Sequence, residues 1–178
     1  MLPPDGPLDA VRAADFPPAL LARAAAVRLL LSDVDGVWTD GRILVHADGS
    51  ESVFFHATDG FGVRKLIAAG IEIAVVSGRD NPAVAHRCRS LGVEEIHLGH
   101  LRKAEVVRQL IEARSLAPEQ VAVIGDDLPD LPMFAAAGLR IAPPQAVPAI
   151  LALADHVTRA PGGRGALREA CELLIAAR

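Results

Sequence analysis

The feature that most constrains this chain is an alternation of short apolar runs with longer amphipathic segments. The runs 27–32 (VRLLLS), 71–76 (IEIAVV), 93–98 (VEEIHL), 121–124 (VAVI) and 139–142 (LRIA) read as buried strands. Between them, segment 102–114 sets Val106, Val107, Leu110 and Ile111 on one helical face and Arg102, Lys103, Glu105, Arg108 and Glu112 on others. Asn81-Pro82 has the form of a helix start, with Asn as cap and Pro in the first turn. Gly70 and Gly92 each stop a helix just before a strand. Strands and helices that alternate in this way imply right-handed βαβ units. The expected fold class is therefore α/β, a doubly wound, Rossmann-like parallel sheet whose ligands bind at the carboxyl ends of the strands.

One segment breaks the alternation. Residues 42–46 and 51–56 flank Asp48-Gly49 and read as a β-hairpin placed directly after the first strand. The 43 residues between Asp33 and Ser77 leave room for that hairpin and one helix, not for an inserted cap domain. The 178 residues fit about one domain. The expected organisation is a loose Pro- and Asp-rich tail at 1–18, a short helix over 18–26, and a single capless domain over 19–178.

Composition removes other classes. With 51% hydrophobic residues and a mean hydropathy of +0.31, the chain is not intrinsically disordered. A net charge of -4 and 3% aromatics argue against nucleic acid as a partner. No apolar run reaches about 18 residues, no signal peptide is read, and no membrane partner is expected. Cys88 and Cys171 form no disulfide framework and read as buried thiols of a cytoplasmic protein.

The polar residues that stand out all follow strands. Asp33 and Asp35 follow the first, Ser77, Gly78 and Arg79 the second, Lys103 the third, and Asp126, Asp127 and Asp130 the fourth. A doubly wound sheet brings them to one edge. Crowded acids repel and need a cation, and oxygen ligands alone favour a hard ion such as Mg²⁺. A lysine and a hydroxyl beside such an ion suit a dianionic phosphoryl group. His97 and His100 lack a third ligand at metal-site spacing and read as satisfied or surface histidines. His46 and His56, on the hairpin, read as interface or surface residues, and Trp38, Phe54 and Phe55 as packing or subunit contacts.

These residues carry a resemblance. Asp33-Val-Asp35-Gly-Val, Ser77, Lys103 and Gly125-Asp126-Asp127-Leu-Pro-Asp130 resemble, in order, the four motifs of the haloacid dehalogenase superfamily. SDVDGVWTDGRI, ATDGFGVRKL, VVSGRD, GDDLPDLPM and VTRAPGGRGALREACELL are similar to the 3-deoxy-D-manno-octulosonate 8-phosphate phosphatase family. The resemblance implies a Mg²⁺-dependent phosphomonoesterase serving lipopolysaccharide precursor synthesis in a Gram-negative cytoplasm. Asp33 would be the nucleophile, Asp35 the general acid and base, and Ser77 and Lys103 the phosphoryl ligands. Asp33, Asp126 and the Asp35 carbonyl would hold the metal, Asp127 would support its waters and Asp130 would orient Lys103. Asp59, Gly78, Arg79 and Arg164 are the substrate-side candidates for a phosphorylated acidic sugar. The family implies a homotetramer in which neighbours cover each site, with the hairpin as assembly element and the Gly162–Gly165 tail reaching an adjacent active site.

Three rival readings are set against this one. A phosphatase for a nine-carbon sialic-acid-like sugar phosphate differs only in pocket detail. A phospho-accepting receiver domain places its acidic pair after the first strand and its phosphoacceptor later, the reverse of the order here. A non-catalytic regulatory partner would not need intact Asp33, Asp35, Lys103 and Asp126.

Overall fold

A computed structural model describes residues 13–178. In chain order the elements are α1 (Pro18–Ala24), β1 (Leu29–Ser32), β2 (Leu44–Val45), β3 (Glu51–Ser52), α2 (Ala57–Ala68), β4 (Glu72–Val76), α3 (Pro82–Ser90), β5 (Glu95–His97), α4 (Lys103–Ala113), β6 (Val121–Ile124), α5 (Leu131–Ala136), β7 (Leu139–Ala142), α6 (Pro148–Leu151), β8 (His156–Val157) and α7 (Ala166–Ala176). β5-β4-β1-β6-β7-β8 form a six-stranded parallel sheet. The order reverses at β1: the chain builds outward to β4 and β5, then returns to lay β6 on β1's other side. That switch opens the crevice in which such sheets bind ligands.

Strand alternation assigns the two core layers. Leu30, Ile73, Val75, Ala122, Ile124, Leu139 and Ile141 face one side and pack with α1, α2, α3 and α7. Leu29, Leu31, Ala74, Val76, Val121 and Val123 face the other and pack with α4, α5 and α6. Successive residues of one strand thus serve opposite layers, as the two-residue repeat of a strand requires. The α4 face read from sequence is the buried one: Val106, Val107 and Leu110 lie inside.

The caps and stops behave as their residue types predict. Asn81 accepts the Ala83 amide at 2.9 Å and opens α3. Gly70 and Gly92 end helices at φ of +78° and +90°.

Three expectations change. Of the anticipated tail at 1–18, residues 1–12 lie outside the described residues, and Ala13–Asp15 form a 3-10 turn. Phe16 is buried, with its ring edge-on to His156 at 5.9 Å. The sequence reading also missed β8, a two-residue edge strand of little apolar character. Tertiary bonds make it: Asp155 accepts the Arg140 amide at 2.9 Å and its guanidinium at 3.0 Å, and the Thr158 amide donates to the Ala142 carbonyl. Finally, the Gly162–Gly165 stretch is not a tail. It leads into α7, whose Leu167, Ala170, Cys171 and Leu174 are fully buried against α2. Gly62 permits that approach, since a Cβ there would stand 3.1 Å from the Arg168 Cα.

The hairpin forms between β2 and β3, with Gly49 at φ +83° and Asp48 accepting the Ser50 amide at 2.9 Å. Its ladder is shorter than the flanking runs suggested. Ile43, Leu44, Val45 and Phe54 are exposed.

Candidate active site

Level strand ends create the site. Ser32 pairs with Val75 and with Ile124, so the chain leaves β1, β4 and β6 side by side at the carboxyl edge. Asp33 continues the ladder one step, its amide donating to the Ile124 carbonyl at 3.0 Å. The loop after it folds back at once: the Trp38 amide reaches the Val34 carbonyl at 2.8 Å. The Trp38 indole donates to Ser32 Oγ at 2.9 Å, and Ser32 Oγ donates to the Asp33 carbonyl at 2.8 Å. Gly36 is required here. Its φ is +84°, and a Cβ on it would collide with the Asp126 carboxylate.

Lys103 opens α4 and is 2% exposed, although lysines are rarely buried. Its Nζ lies 2.5 Å from Asp33 Oδ1 and 2.6 Å from Asp130 Oδ1. The other Asp130 oxygen accepts the Asp126 amide at 2.8 Å and the Asp127 amide at 3.2 Å. Asp130 is therefore fully used in holding Lys103 and the 125–127 turn. Gly125 leaves room for it, because a Cβ there would lie 2.7 Å from the Asp130 carboxyl carbon.

Ser77 follows β4. Its hydroxyl accepts the Arg79 amide at 3.2 Å, which leaves its proton free to donate into the cleft. Arg79 reaches Asp35 at 3.4 Å and also pairs with Glu51 on the hairpin.

One ammonium serves two carboxylates here, and that sets the electrostatics. The Lys103 ammonium is held above its ordinary range, because Asp33 and Asp130 outweigh the cost of its burial. Asp33 is nevertheless raised to about 7, by burial first and then by repulsion from Asp130. Asp126 is also raised to about 7, by burial and by Asp130 and Asp127. Among the described residues, no protein donor reaches the Asp126 carboxylate. Carboxylate oxygens of Asp33, Asp126 and Asp130 lie within 4.8 Å of one another. Three carboxylates and one ammonium leave a surplus of about two negative charges, which a divalent cation cancels. With Asp130 committed to Lys103 and two amides, Asp33 and Asp126 are the side chains left to hold it. The all-oxygen donor set fits a hard ion.

Asp33, Asp35, Ser77, Gly78, Arg79, Lys103, Asp126, Asp127 and Asp130 all line one open cleft of about 330 Å³. Two of the sequence candidates are elsewhere. Asp59 is 2% exposed and caps α7, accepting the Gly165 amide at 3.2 Å and the Arg168 amide at 2.8 Å. Its two oxygens are spent on backbone, so it is not positioned to meet a ligand. Arg164 lies in a neighbouring hollow with Asp40, Arg42, Phe54, Phe55 and His56. The Gly162–Gly163 strap docks on its own chain, with the Gly163 amide on the Val37 carbonyl at 2.9 Å.

His97 pairs with Glu95 at 3.0 Å, and His56 accepts the Thr58 amide as cap of α2. Sequence reasoning missed Glu51, Leu101 and Gln145. Leu101 is 78% exposed at the cleft rim. No local motif marks these three, since each meets the site through the fold.

Known proteins resemble this chain in sequence and fold. Residues 92–165 match the haloacid dehalogenase-like hydrolase family. The 3-deoxy-D-manno-octulosonate 8-phosphate phosphatase KdsC of Escherichia coli is 42% identical over 158 residues, which cover 89% of this chain and 84% of that protein. The chain belongs to the 3-deoxy-D-manno-octulosonate 8-phosphate phosphatase family. The crystal structure of the family's Yersinia pestis member superposes with a TM-score of 0.87 at 41% identity, covering 90% of this chain and 86% of that one. The Moraxella catarrhalis member, solved in complex with magnesium ion, phosphate ion and KDO, gives a TM-score of 0.87 at 34% identity over 90% and 92% of the two chains. Membership in this phosphatase family makes the α/β sheet and its carboxyl-edge acids parts of an enzyme.

Proposed function

We propose that this chain hydrolyses 3-deoxy-D-manno-octulosonate 8-phosphate to the free sugar acid and phosphate, through an aspartyl-phosphate on Asp33. The observation that carries the reading is the buried Lys103 ammonium fixed against Asp33, beside an Asp126 whose carboxylate meets no protein donor among the described residues. The magnesium complex of the Moraxella catarrhalis relative supports the same ion here, held by the side chains of Asp33 and Asp126 and the Asp35 carbonyl. When bound, the ion cancels the surplus negative charge and shields the phosphoryl oxygens from the carboxylates.

The free Asp33 oxygen attacks phosphorus, and the bond to the sugar oxygen breaks. Lys103 and the Ser77 hydroxyl take the non-bridging oxygens, where charge builds during transfer. Asp35, two residues on, gives its proton to the leaving sugar oxygen. It then removes a proton from the water that cleaves the aspartyl-phosphate, so Asp33 is regenerated and inorganic phosphate leaves. Asp127 supports the metal's waters, and Asp130 keeps Lys103 aimed. Arg79 and Gly78 line the substrate side of the cleft; Arg164 would join them only from a neighbouring subunit.

Residues 19–178 form one capless catalytic domain in this reading, and the cleft is completed by assembly. The exposed Leu44, Val45 and Phe54 of the hairpin region support a homotetramer in which neighbours cover each cleft. We place the enzyme in the cytoplasm, where sugar-acid precursors are made.

The test is phosphate release from eight-carbon and nine-carbon acid sugar phosphates, with hexose phosphates as controls, in Mg²⁺ and in chelator. The eight-carbon compound should be preferred, chelator should abolish release, and Asp33→Asn should lower it by at least ~10³-fold. Asp33→Asn with unchanged activity would overturn the mechanism. Preference for the nine-carbon compound would overturn the substrate.

A further inference from the structure

The Asp33–Asp40 loop carries two of the proposed catalytic groups, so what fixes its backbone matters. Inside the loop, Thr39 Oγ1 receives the Gly36 and Gly41 amides at 3.4 and 3.2 Å. The Gly36 carbonyl points the other way, out of the turn. Its one hydrogen-bond donor among the described residues is Gln145 Nε2, at 2.7 Å. The other end of the same amide is also engaged: Gln145 Oε1 accepts the Gly162 amide at 3.1 Å. Two residues further on, the Val147 amide donates to the Asp126 carbonyl at 2.8 Å. The turn after β7 therefore touches three things at once: the loop bearing Asp35, the turn bearing Asp126, and the glycine strap. Gly162 is a tight fit there, because a Cβ on it would collide with the Gly36 carbonyl and crowd Gln145 Nε2 at 2.8 Å.

We infer that Gln145 is a positioning residue, whose amide fixes the Gly36–Val37 peptide, and through Gly36 the adjoining Asp35–Gly36 peptide, relative to Asp126 by bridging the Gly36 carbonyl to the Gly162 strap. The inference rests on the proposed reaction for its kinetic consequence and on the hydrogen bonds alone for its structural one. Gly36 joins the peptide that Gln145 holds to the Asp35–Gly36 peptide, which bears the carbonyl assigned to the ion, and the Gly36 Cα lies close against the Asp126 carboxylate. A small shift of Gly36 therefore displaces the Asp35 carbonyl and the clearance around Asp126 together. Partners that orient ligands in this way typically matter by 10–100-fold. A glutamine suits the position because it donates from one end and accepts at the other. Glutamate keeps the acceptor for Gly162 but turns an oxygen toward the Gly36 carbonyl, and leucine loses both bonds. Gln145 itself is exposed, so neither change opens a cavity in the core.

The chain has one tryptophan and no tyrosine, and that tryptophan is the buried Trp38 of the same loop. Its emission reports loop position without interference. The experiment titrates MgCl₂ alone against Trp38 emission for the wild type, Gln145→Glu and Gln145→Leu. It then measures kcat and KM with the eight-carbon acid sugar phosphate, alongside thermal midpoints in chelator. Both variants should need roughly 10-fold more Mg²⁺ for half-saturation and lose roughly 10-fold in kcat, with KM within about twofold. Their midpoints should stay within a few degrees of the wild type. Unchanged Mg²⁺ half-saturation in both variants would overturn the inference. So would a loss that tracks a large drop in thermal midpoint, since that is the mark of a merely structural residue. A wild type that responds to Mg²⁺ through Gln145 yet releases no phosphate would leave the inference standing and remove the proposed substrate.

Discussion

Neutralising Asp126 should stabilise the metal-free protein while abolishing its response to Mg²⁺. Asp126 is the cleanest acid to remove because, among the described residues, its carboxylate makes no hydrogen bond or ion pair, whereas Asp33 and Asp130 both hold Lys103. Burial, then Asp130 and Asp127, lift its pKa from the ordinary 3.8 to about 7. That difference corresponds to about 4 kcal/mol against the ionised form. The side chain is only partly buried, and solvent screening brings the figure to about 2 kcal/mol. For a chain of this size, about 2 kcal/mol moves the thermal midpoint by roughly 4–8 °C. The sign follows from linkage. A raised folded pKa gives stability that is present below pH 3.8 and is lost as pH rises through about 7. Asp126→Asn lacks this loss, so its advantage over the wild type in chelator should be small near pH 4 and full at pH 8. Adding MgCl₂ at pH 8 should raise the wild-type midpoint and leave the variant nearly unmoved. Thermal unfolding at the two pH values, with and without Mg²⁺, reads all of this. A variant less stable than the wild type at pH 8 in chelator would refute the surplus-charge argument. So would a variant that gains as much from Mg²⁺ as the wild type.

Two further outcomes follow from the ion pairs. Lys103→Leu strips the ammonium from between Asp33 and Asp130 and should cost about 3–5 kcal/mol at pH 8, measured by urea unfolding; Lys103→Leu with Asp130→Leu should recover part of that loss, which a purely steric explanation does not predict. Glu169 is pushed up by burial, but His156 and the Arg159 and Ala160 amides outweigh this and hold its carboxyl below the usual range. Its stabilisation is therefore present above the ordinary 4.5 and lost as pH falls below it, so Glu169→Gln should be about 1 kcal/mol less stable at pH 7 and converge with the wild type near pH 3.

The parts of this fold legible in the sequence are those whose cause is local. β1, β4, β6 and β7 are short apolar runs, and α3 is opened by Asn81-Pro82 within one turn of itself. β8 was not legible, because His156 and Val157 have no strand-like pattern and are held by Asp155 and Thr158 reaching back to β7. α7 was masked by its own entry: Ala160-Pro161-Gly162-Gly163 reads as a tail. What makes it a core helix is Asp59 of α2, which caps it from 106 residues away. The same bond explains why Asp59 looked like a ligand. A buried acid after a hairpin has the appearance of a site residue until its acceptors are seen to be filled by backbone.

The catalytic cleft was more legible than the scaffold, and the reason lies in where its residues come from. Each acid or hydroxyl of the cleft sits within a few residues of a strand end, so knowing the strands fixes the neighbourhood. Their division of labour is a different matter. Asp126 and Asp130 stand in one short turn with similar surroundings in sequence. Only the geometry shows that Asp130 spends both oxygens on Lys103 and two amides while Asp126, among the described residues, spends none. That asymmetry separates the cluster of repelling carboxylates into one structural acid and one acid, Asp126, proposed to hold the ion. The surplus charge it leaves is the basis for expecting the chain's stability to respond to a divalent ion. Gln145 belongs to the same logic from outside the motifs. It lies 109 residues from the carbonyl it holds, so no spacing rule reaches it, and only the assembled sheet brings the β7 turn over the β1 loop.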